Sequence, residues 1–258
     1  MIALYLVIAC VVGYFIGNIN FARIFCWIFA HKHITEIGSK NPGTTNVLRT
    51  RGFGEAMLTL VFEAAKSGGP ALGGYYLFEH FFAGFGNLAF FLIGFFVVIG
   101  HCFPVFYHFK GGKGVACTFG IFAFHPMFWW GAIIVFACGF VAYLFIRYAF
   151  IVNLLAMIAL SIYGTVYFVL TEPYKLFIPL LVIIWVNVAL LFFTHRGNLK
   201  RFFNGTENKI EFRKYLKSKK KRDEEEKLSL EQTQEIPAVA TVEASKEEVK
   251  TDDEGKTV

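Results

Sequence analysis

Residues 114–146 read GVACTFGIFAFHPMFWWGAIIVFACGFVAYLFI, 33 residues with no Asp, Glu, Lys or Arg. A transmembrane helix needs about 20 apolar residues, so the run is too long for one crossing and short for two. Pro126 removes a backbone donor and crowds the preceding turn, which splits the run at His125 and Pro126 into two crossings, the first of them short. Kept whole as one bent span, the run would carry Arg147 and the C terminus to the opposite face of the membrane.

The rest of the chain supports a membrane reading. Of 258 residues, 56% are hydrophobic, 32 are Phe and 17% are charged, with a mean hydropathy of +0.53. That composition fits an all-α, polytopic integral membrane bundle rather than a soluble domain. Charge-poor runs mark further crossings at Met1–Ile19, Phe81–Phe109, Tyr148–Thr171 and Leu176–His195, and Ala56–Phe78 is apolar apart from Glu63 and Lys66. Met1–Ile19 has no basic leader and is read as a first membrane helix, not a removed signal peptide. The total is about seven crossings. Cys10, Cys26, Cys102, Cys117 and Cys138 are scattered through apolar runs without C-x-x-C spacing and are read as small buried side chains.

Lys and Arg resist translocation and gather on the cytoplasmic side. With the N terminus outside, seven crossings place Lys32, Lys40, Arg49, Arg51, Lys110, Lys113, Arg147 and the whole C-terminal tail inside, leaving only Lys175 outside. This is the expected arrangement for a multi-pass membrane protein. Residues 1–208 form the expected membrane domain and 209–258 a cytoplasmic tail. In the tail, KSKKKRDEEEK (217–227) is basic then acidic, its basic half suited to anionic lipid headgroups. Residues 228–258 have no aromatic side chain and are expected to be disordered.

Three polar, glycine-rich islands interrupt the apolar pattern on the side read as cytoplasmic: GSKNPGTTNVLR (38–49), GHCFPVFYHFKGGKG (100–114) and HRGNLKRFFNGTE (195–207). In the second, Gly111, Gly112 and Gly114 surround Lys113, an arrangement that lets backbone N–H groups approach an anion beside an ammonium and the start of a helix. A nucleotide-binding P-loop would require Ser or Thr at 114. The first island offers neutral donors with Arg49 behind them; it also reads as a helix start near Thr44 and Thr45 with Pro42 ahead. In the third, His195, Asn198 and Arg201 recur every three residues on one helical face, with Glu207 within reach. Glu63 and Lys66, also three apart, are expected to pair and look into the bundle. The seven histidines show no metal-ligand spacing, and neither a metal nor a cofactor is expected.

Taken in order, the islands resemble the bacterial acyl-phosphate:glycerol-3-phosphate acyltransferases. That pattern is G-S-x-N-x-G-x-T-N-x-x-R, then G-H-x-F-P-x-F-x-x-F-K-G-G-K-G-V-A, then H-x-x-N-x-x-R with G-x-E. Gly38, Ser39, Asn41, Gly43, Thr45, Asn46 and Arg49 match the first part. Gly100, His101, Phe103, Pro104, Phe106 and Phe109 through Ala116 match the second, and His195, Asn198, Arg201, Gly205 and Glu207 the third. The resemblance implies a seven-helix membrane enzyme that moves a fatty acyl group from acyl phosphate to the 1-hydroxyl of glycerol 3-phosphate, with no nucleic acid among its partners. It implies catalytic roles for Ser39, His101, Lys113, His195 and Asn198. Substrate or phosphate contacts would come from Asn41, Thr45, Asn46, Arg49, Lys66, Lys110, Gly111, Gly112, Gly114, Arg201 and Glu207. The general base is left open between His195, His101 and a substrate phosphate oxygen.

Four positions depart from the pattern: Thr35 and Thr194 stand where it carries arginine, and Glu63 and Ser67 make E-x-x-K-S of its D-x-x-K-G. The threonines admit a second reading, an inactive relative that binds anionic lipid or a partner. The Glu63–Lys66 pair admits a third, a transporter of an anionic solute, although a transporter holds its site near the midplane and no inverted repeat is evident.

Overall fold

The computed structural model describes residues 1–209, which form helices joined by turns and loops, with no strand among them. The expected tail, from 210 onward, lies outside the described residues. Helices run α1 (Ile2–Gly17), α2 (Phe21–Ala30), α3 (Thr44–Thr50), α4 (Phe53–Phe81), α5 (Gly86–Cys102), α6 (Val115–Phe124), α7 (Trp129–Phe145), α8 (Ala149–Thr171), α9 (Tyr174–Thr194) and α10 (Arg196–Phe203). Four segments are long and apolar enough to cross a membrane: Ile2–Ala30, Gly86–Tyr107, Ala149–Thr171 and Tyr174–Thr194. Helix α4 has 29 residues but carries Glu55, Glu63, Lys66 and Glu79.

The long run breaks where the proline indicates. Helix α6 ends at Phe124, and its 10 residues rise about 15 Å, half the hydrocarbon thickness. The break is fastened from inside. The ring of His125 stacks on Phe128 with centroids 4.3 Å apart, its Nε2–H donates to Asn87 Oδ1 at 3.0 Å, and its Nδ1 accepts the Met127 N–H at 3.2 Å. Asn87 in turn donates to Glu172 at 2.6 Å, so the ends of α5 and α8 are tied to the same point.

The expected first crossing, Met1–Ile19, corresponds to α1, but the apolar segment runs on past it to Ala30. It breaks at Asn18–Asn20, and a second helix, α2, continues to Ala30. Asn20 is the cause: its Oδ1 caps α2 by accepting the Arg23 N–H at 2.9 Å, while its Nδ2 donates to the Pro42 carbonyl at 3.0 Å. One side chain thus starts a helix and anchors the first polar island to it.

Helices α1 and α5 pack through glycine. A Cβ on Gly17 would come within 2.9 Å of the Gly100 Cα, so the two backbones touch as in small-residue membrane helix pairs. Helix α6 meets α4 in the same way, a Cβ on Gly120 falling 2.6 Å from the Ala64 Cα. Gly100→Ile should therefore part α1 from α5. Overpacking of this kind costs about 1–3 kcal/mol, and the expected result is a detergent melting temperature several degrees lower. An unchanged melting temperature would show that the approach is not tight.

Outward faces remain apolar, with Leu4, Ile134 and Leu170 at 63, 60 and 78% exposure. Lipid covers such a surface in an integral membrane protein.

Candidate active site

The second island is shaped by its glycines, though not as the sequence suggested. The Gly111 N–H donates to the Cys102 carbonyl at 3.2 Å and the Gly112 N–H to the His101 carbonyl at 3.0 Å. Both donors expected to face an anion are therefore spent on the end of α5. Glycine is required for closeness: a Cβ at 111 would strike the His101 carbonyl, and one at 112 the His101 imidazole. Gly114 adopts φ +84° as the N-cap of α6, a conformation that side chains rarely accept. Lys113 is left projecting between this turn and α10.

Lys113 Nζ donates to Asn198 Oδ1, Asn198 Nδ2 donates to Glu207 Oε1 at 2.8 Å, and Arg201 Nε donates to Glu207 Oε2 at 2.8 Å. Glu207 is buried and serves as the common acceptor that orients both Asn198 and Arg201. The loop is held from α9 as well, because the Thr194 hydroxyl lies 3.0 Å from the Lys113 carbonyl. Burial, followed by the neighbouring Arg201, pushes the Lys113 ammonium down to about 8.

These groups open onto a cavity of about 670 Å³. It is lined by all three islands, bringing Ser39, Asn41, Lys110, Gly111, Lys113, Asn198 and Arg201 together from opposite ends of the described sequence. Thr35 and Thr194 line it too, as does Arg23 from α2. Among the described residues, five cationic ones (Arg23, Lys40, Lys110, Lys113 and Arg201) line the space, and no carboxylate or thiol does. Lys40 and His108, also at the wall, have φ of +59° and +52°, strain of the kind that collects at ligand sites.

The remaining sequence candidates stand behind the wall or beside it. Asn46 pins the first island: its Oδ1 accepts the Ser39 N–H at 2.8 Å, and its Nδ2 donates to the carbonyls of Ile34 and Ile37. The expected helix start follows as α3, which contains Thr45 and is capped by the backbone of Gly43. Arg49 donates to the Asn208 carbonyl at 3.1 Å, and burial lowers its pKa. His195 is buried, its Nδ1 is 2.8 Å from the Leu191 carbonyl and so carries the proton, and burial lowers its pKa to about 4.

Lys66, expected to touch phosphate, is occupied elsewhere. Its ammonium donates to the Ile19 carbonyl, to the Gly17 carbonyl at 3.2 Å and to Glu63 Oε2 at 2.6 Å. The ammonium also lies 3.0 Å from His101 Nδ1, but its three N–H groups are matched by those oxygen acceptors, which leaves the His101 Nδ1 proton to bond Glu63 Oε2 at 3.0 Å. Glu63, Lys66 and His101 form one buried cluster directly beneath Gly112. The sequence showed only the Glu63–Lys66 pair. Glu63, His101 and Cys117 also approach within 4.8 Å of one another, but Lys66 already balances the carboxylate.

Arg23 escaped sequence reasoning, although a signal existed: it is the sole Asp, Glu, Lys or Arg among the first 30 residues, and an isolated charge in an apolar run marks a functional position by default.

Comparison with known proteins follows the same outline. Residues 7–205 match the family model described as glycerol-3-phosphate acyltransferase. A glycerol-3-phosphate acyltransferase of Legionella pneumophila (strain Philadelphia 1) is 36% identical over 204 residues, covering 78% of this chain and 68% of that protein. One from Finegoldia magna is 34% identical over 208 residues, covering 80% and 97%. The crystal structure of PlsY (YgiH), an integral membrane glycerol 3-phosphate acyltransferase, in its glycerol 3-phosphate form superposes with a TM-score of 0.68 at 28% identity, covering 82% of this chain and 98% of that one.

Proposed function

The chain belongs to the glycerol-3-phosphate acyltransferase family and acylates glycerol 3-phosphate, and from that premise we propose that its donor is a fatty acyl phosphate. The product is then 1-acylglycerol 3-phosphate, and inorganic phosphate is released. The observation that carries the proposal is the cavity itself, a space of about 670 Å³ lined, among the described residues, by five cations and no carboxylate. Acyl phosphate and glycerol 3-phosphate are both phosphate anions, so one cavity must neutralise two phosphoryl groups and leave an acyl chain free to reach the bilayer. Phe106, at the wall and 67% exposed, offers an apolar edge for that chain.

The reaction needs no covalent enzyme intermediate. The 1-hydroxyl oxygen attacks the acyl carbonyl, the bond from carbonyl carbon to phosphate oxygen breaks, and the hydroxyl proton ends on the departing phosphate. Lys113, Lys110 and Arg201 would neutralise the leaving phosphate and the developing oxyanion, while Ser39, Asn41 and Asn198 hold substrate oxygens in line. Arg49, Glu207, Asn46 and Thr45 would support these groups from behind, and Gly111, Gly112 and Gly114 shape the turn that presents Lys113. His101 donates to Glu63 and His195 is held near pKa 4, and neither lines the cavity. We therefore assign proton removal to a substrate phosphate oxygen and positioning roles to both histidines.

The Lys113 ammonium, near 8 in the free protein, gives this reading a pH signature. Phosphate binding requires the charged form, so kcat/KM is full below about 8 and falls as pH rises through it, approaching tenfold per unit. In Lys113→Arg the limb should move beyond the measurable range in whatever activity remains, since guanidinium stays charged. The same alkaline limb in that variant would contradict the assignment.

We further propose seven crossings in a bacterial plasma membrane, with the N terminus outside and the cavity and C terminus cytoplasmic. The Lys and Arg distribution and the meeting of all three islands at one cavity support this, and the metabolites it needs are cytosolic. Residues 1–208 then form the catalytic domain and 209–258 an appended tail whose basic run meets anionic headgroups.

A further inference from the structure

On the acyltransferase reading, we propose that Arg23 is a further substrate-binding residue, one that grips the phosphate group of a substrate and supplies from α2 the charge absent at Thr35 and Thr194. Arg23 lies in the first turn of α2, where Asn20 accepts its backbone N–H at 2.9 Å and directs its side chain to the cavity it lines. The guanidinium is fixed on two sides: it stacks over the Tyr107 ring, 4.2 Å from the centroid, and Nη2 donates to the Lys110 carbonyl at 3.0 Å. Its Nε is buried and has no hydrogen-bond partner among the described residues. A desolvated guanidinium N–H without an acceptor is costly, and here it belongs to a plane already held flat in the wall of a cationic space that has no carboxylate among its described lining residues. That combination suits a planar fork awaiting a phosphate oxygen.

Position explains why α2 takes this task. Thr35 and Thr194 line the same cavity, and both are neutral where the motif pattern carries arginine. Thr194 is committed to the loop, its hydroxyl lying near the Lys113 and Leu191 carbonyls, so it adds no charge. Arg23 reaches the Lys110 carbonyl, three residues before Lys113, and places its cation against the same turn.

The test uses the full chain in phospholipid nanodiscs, comparing wild type with Arg23→Gln, Arg23→Lys and the double variant Arg23→Gln/Thr35→Arg. Glutamine keeps a donor for the Lys110 carbonyl while removing the charge, which protects the fold. Steady-state kinetics vary each substrate in turn, and equilibrium binding uses glycerol 3-phosphate and inorganic phosphate as probes. Arg23→Gln should raise one KM by about 10- to 100-fold, the range for losing a charge-assisted hydrogen bond, with kcat little changed. The substrate affected, acyl phosphate or glycerol 3-phosphate, identifies whose phosphate Arg23 holds. Lysine should recover little, because its ammonium neither stacks flat nor forks, whereas Thr35→Arg should restore most of the lost affinity from another position lining the same cavity.

Unchanged KM values and unchanged binding of both probes would overturn the proposal. So would a joint fall in kcat and melting temperature that Thr35→Arg does not repair, which would make Arg23 part of the scaffold. A wild type that binds the probes but transfers no acyl group would refute the acyltransferase reading alone; weaker probe binding by Arg23→Gln would then still establish the site.

Discussion

Lys113→Ala is expected to lower acyl transfer by about a thousandfold or more while leaving the protein folded. Removing one preorganised charge-stabilising donor from a dry site costs roughly 100- to 1000-fold, and Lys113 has a second task. Its ammonium bonds Asn198, which with Arg201 is oriented by Glu207, so alanine releases one end of that chain as well. Stability should survive, because the side chain lies at a cavity wall and its removal relieves the burial that depresses its pKa to about 8. The measurement is initial rate in lipid alongside a melting curve. Substantial activity in a folded variant would detach Lys113 from the phosphate.

The second large effect falls on the scaffold. Lys66→Met leaves Glu63 buried, 1% exposed, with its nearest cation gone and only the Phe21 N–H, the Cys117 thiol and His101 to meet it. Breaking a buried ion pair by removing one member costs about 3–5 kcal/mol, enough to deplete the folded protein. The carbonyls of Gly17 and Ile19 would lose their donor too, loosening the break between α1 and α2 that sets Arg23. Glu63→Gln/Lys66→Met removes both charges together and should recover much of the loss. A Lys66→Met variant with wild-type melting temperature but a greatly raised KM would return Lys66 to the substrate and contradict the scaffold role.

These two lysines also show how far the sequence carries. Lys113 was legible because glycines and a charge interrupt apolar runs, a contrast that survives without coordinates. The meeting of the three islands was legible too, since crossings that alternate in direction return them to one face. The expectation that Lys66 touches phosphate did not take in its buried partners, because spacing of three reveals a pair on one helix but not His101, 35 residues away, which closes the cluster. Gly111 and Gly112 were credited with donors for an anion; the backbone bonds to Cys102 and His101 that consume those donors depend on where α5 ends, and composition does not encode that. The break at His125 followed from a proline. The one at Asn18–Asn20 did not, because asparagine caps a helix only where a partner such as Pro42 stands ready. Arg23 was passed over as one charge in a greasy helix, and only the fold discloses that Tyr107 and Lys110 hold it at the cavity.

The most direct test of the central claim is acyl transfer to glycerol 3-phosphate by the purified full-length protein in a lipid bilayer, with acyl phosphate, acyl-CoA and acyl carrier protein thioester offered separately. The account predicts 1-acylglycerol 3-phosphate and one equivalent of inorganic phosphate from acyl phosphate alone. Product from a thioester, or none from acyl phosphate with the protein folded, would contradict it.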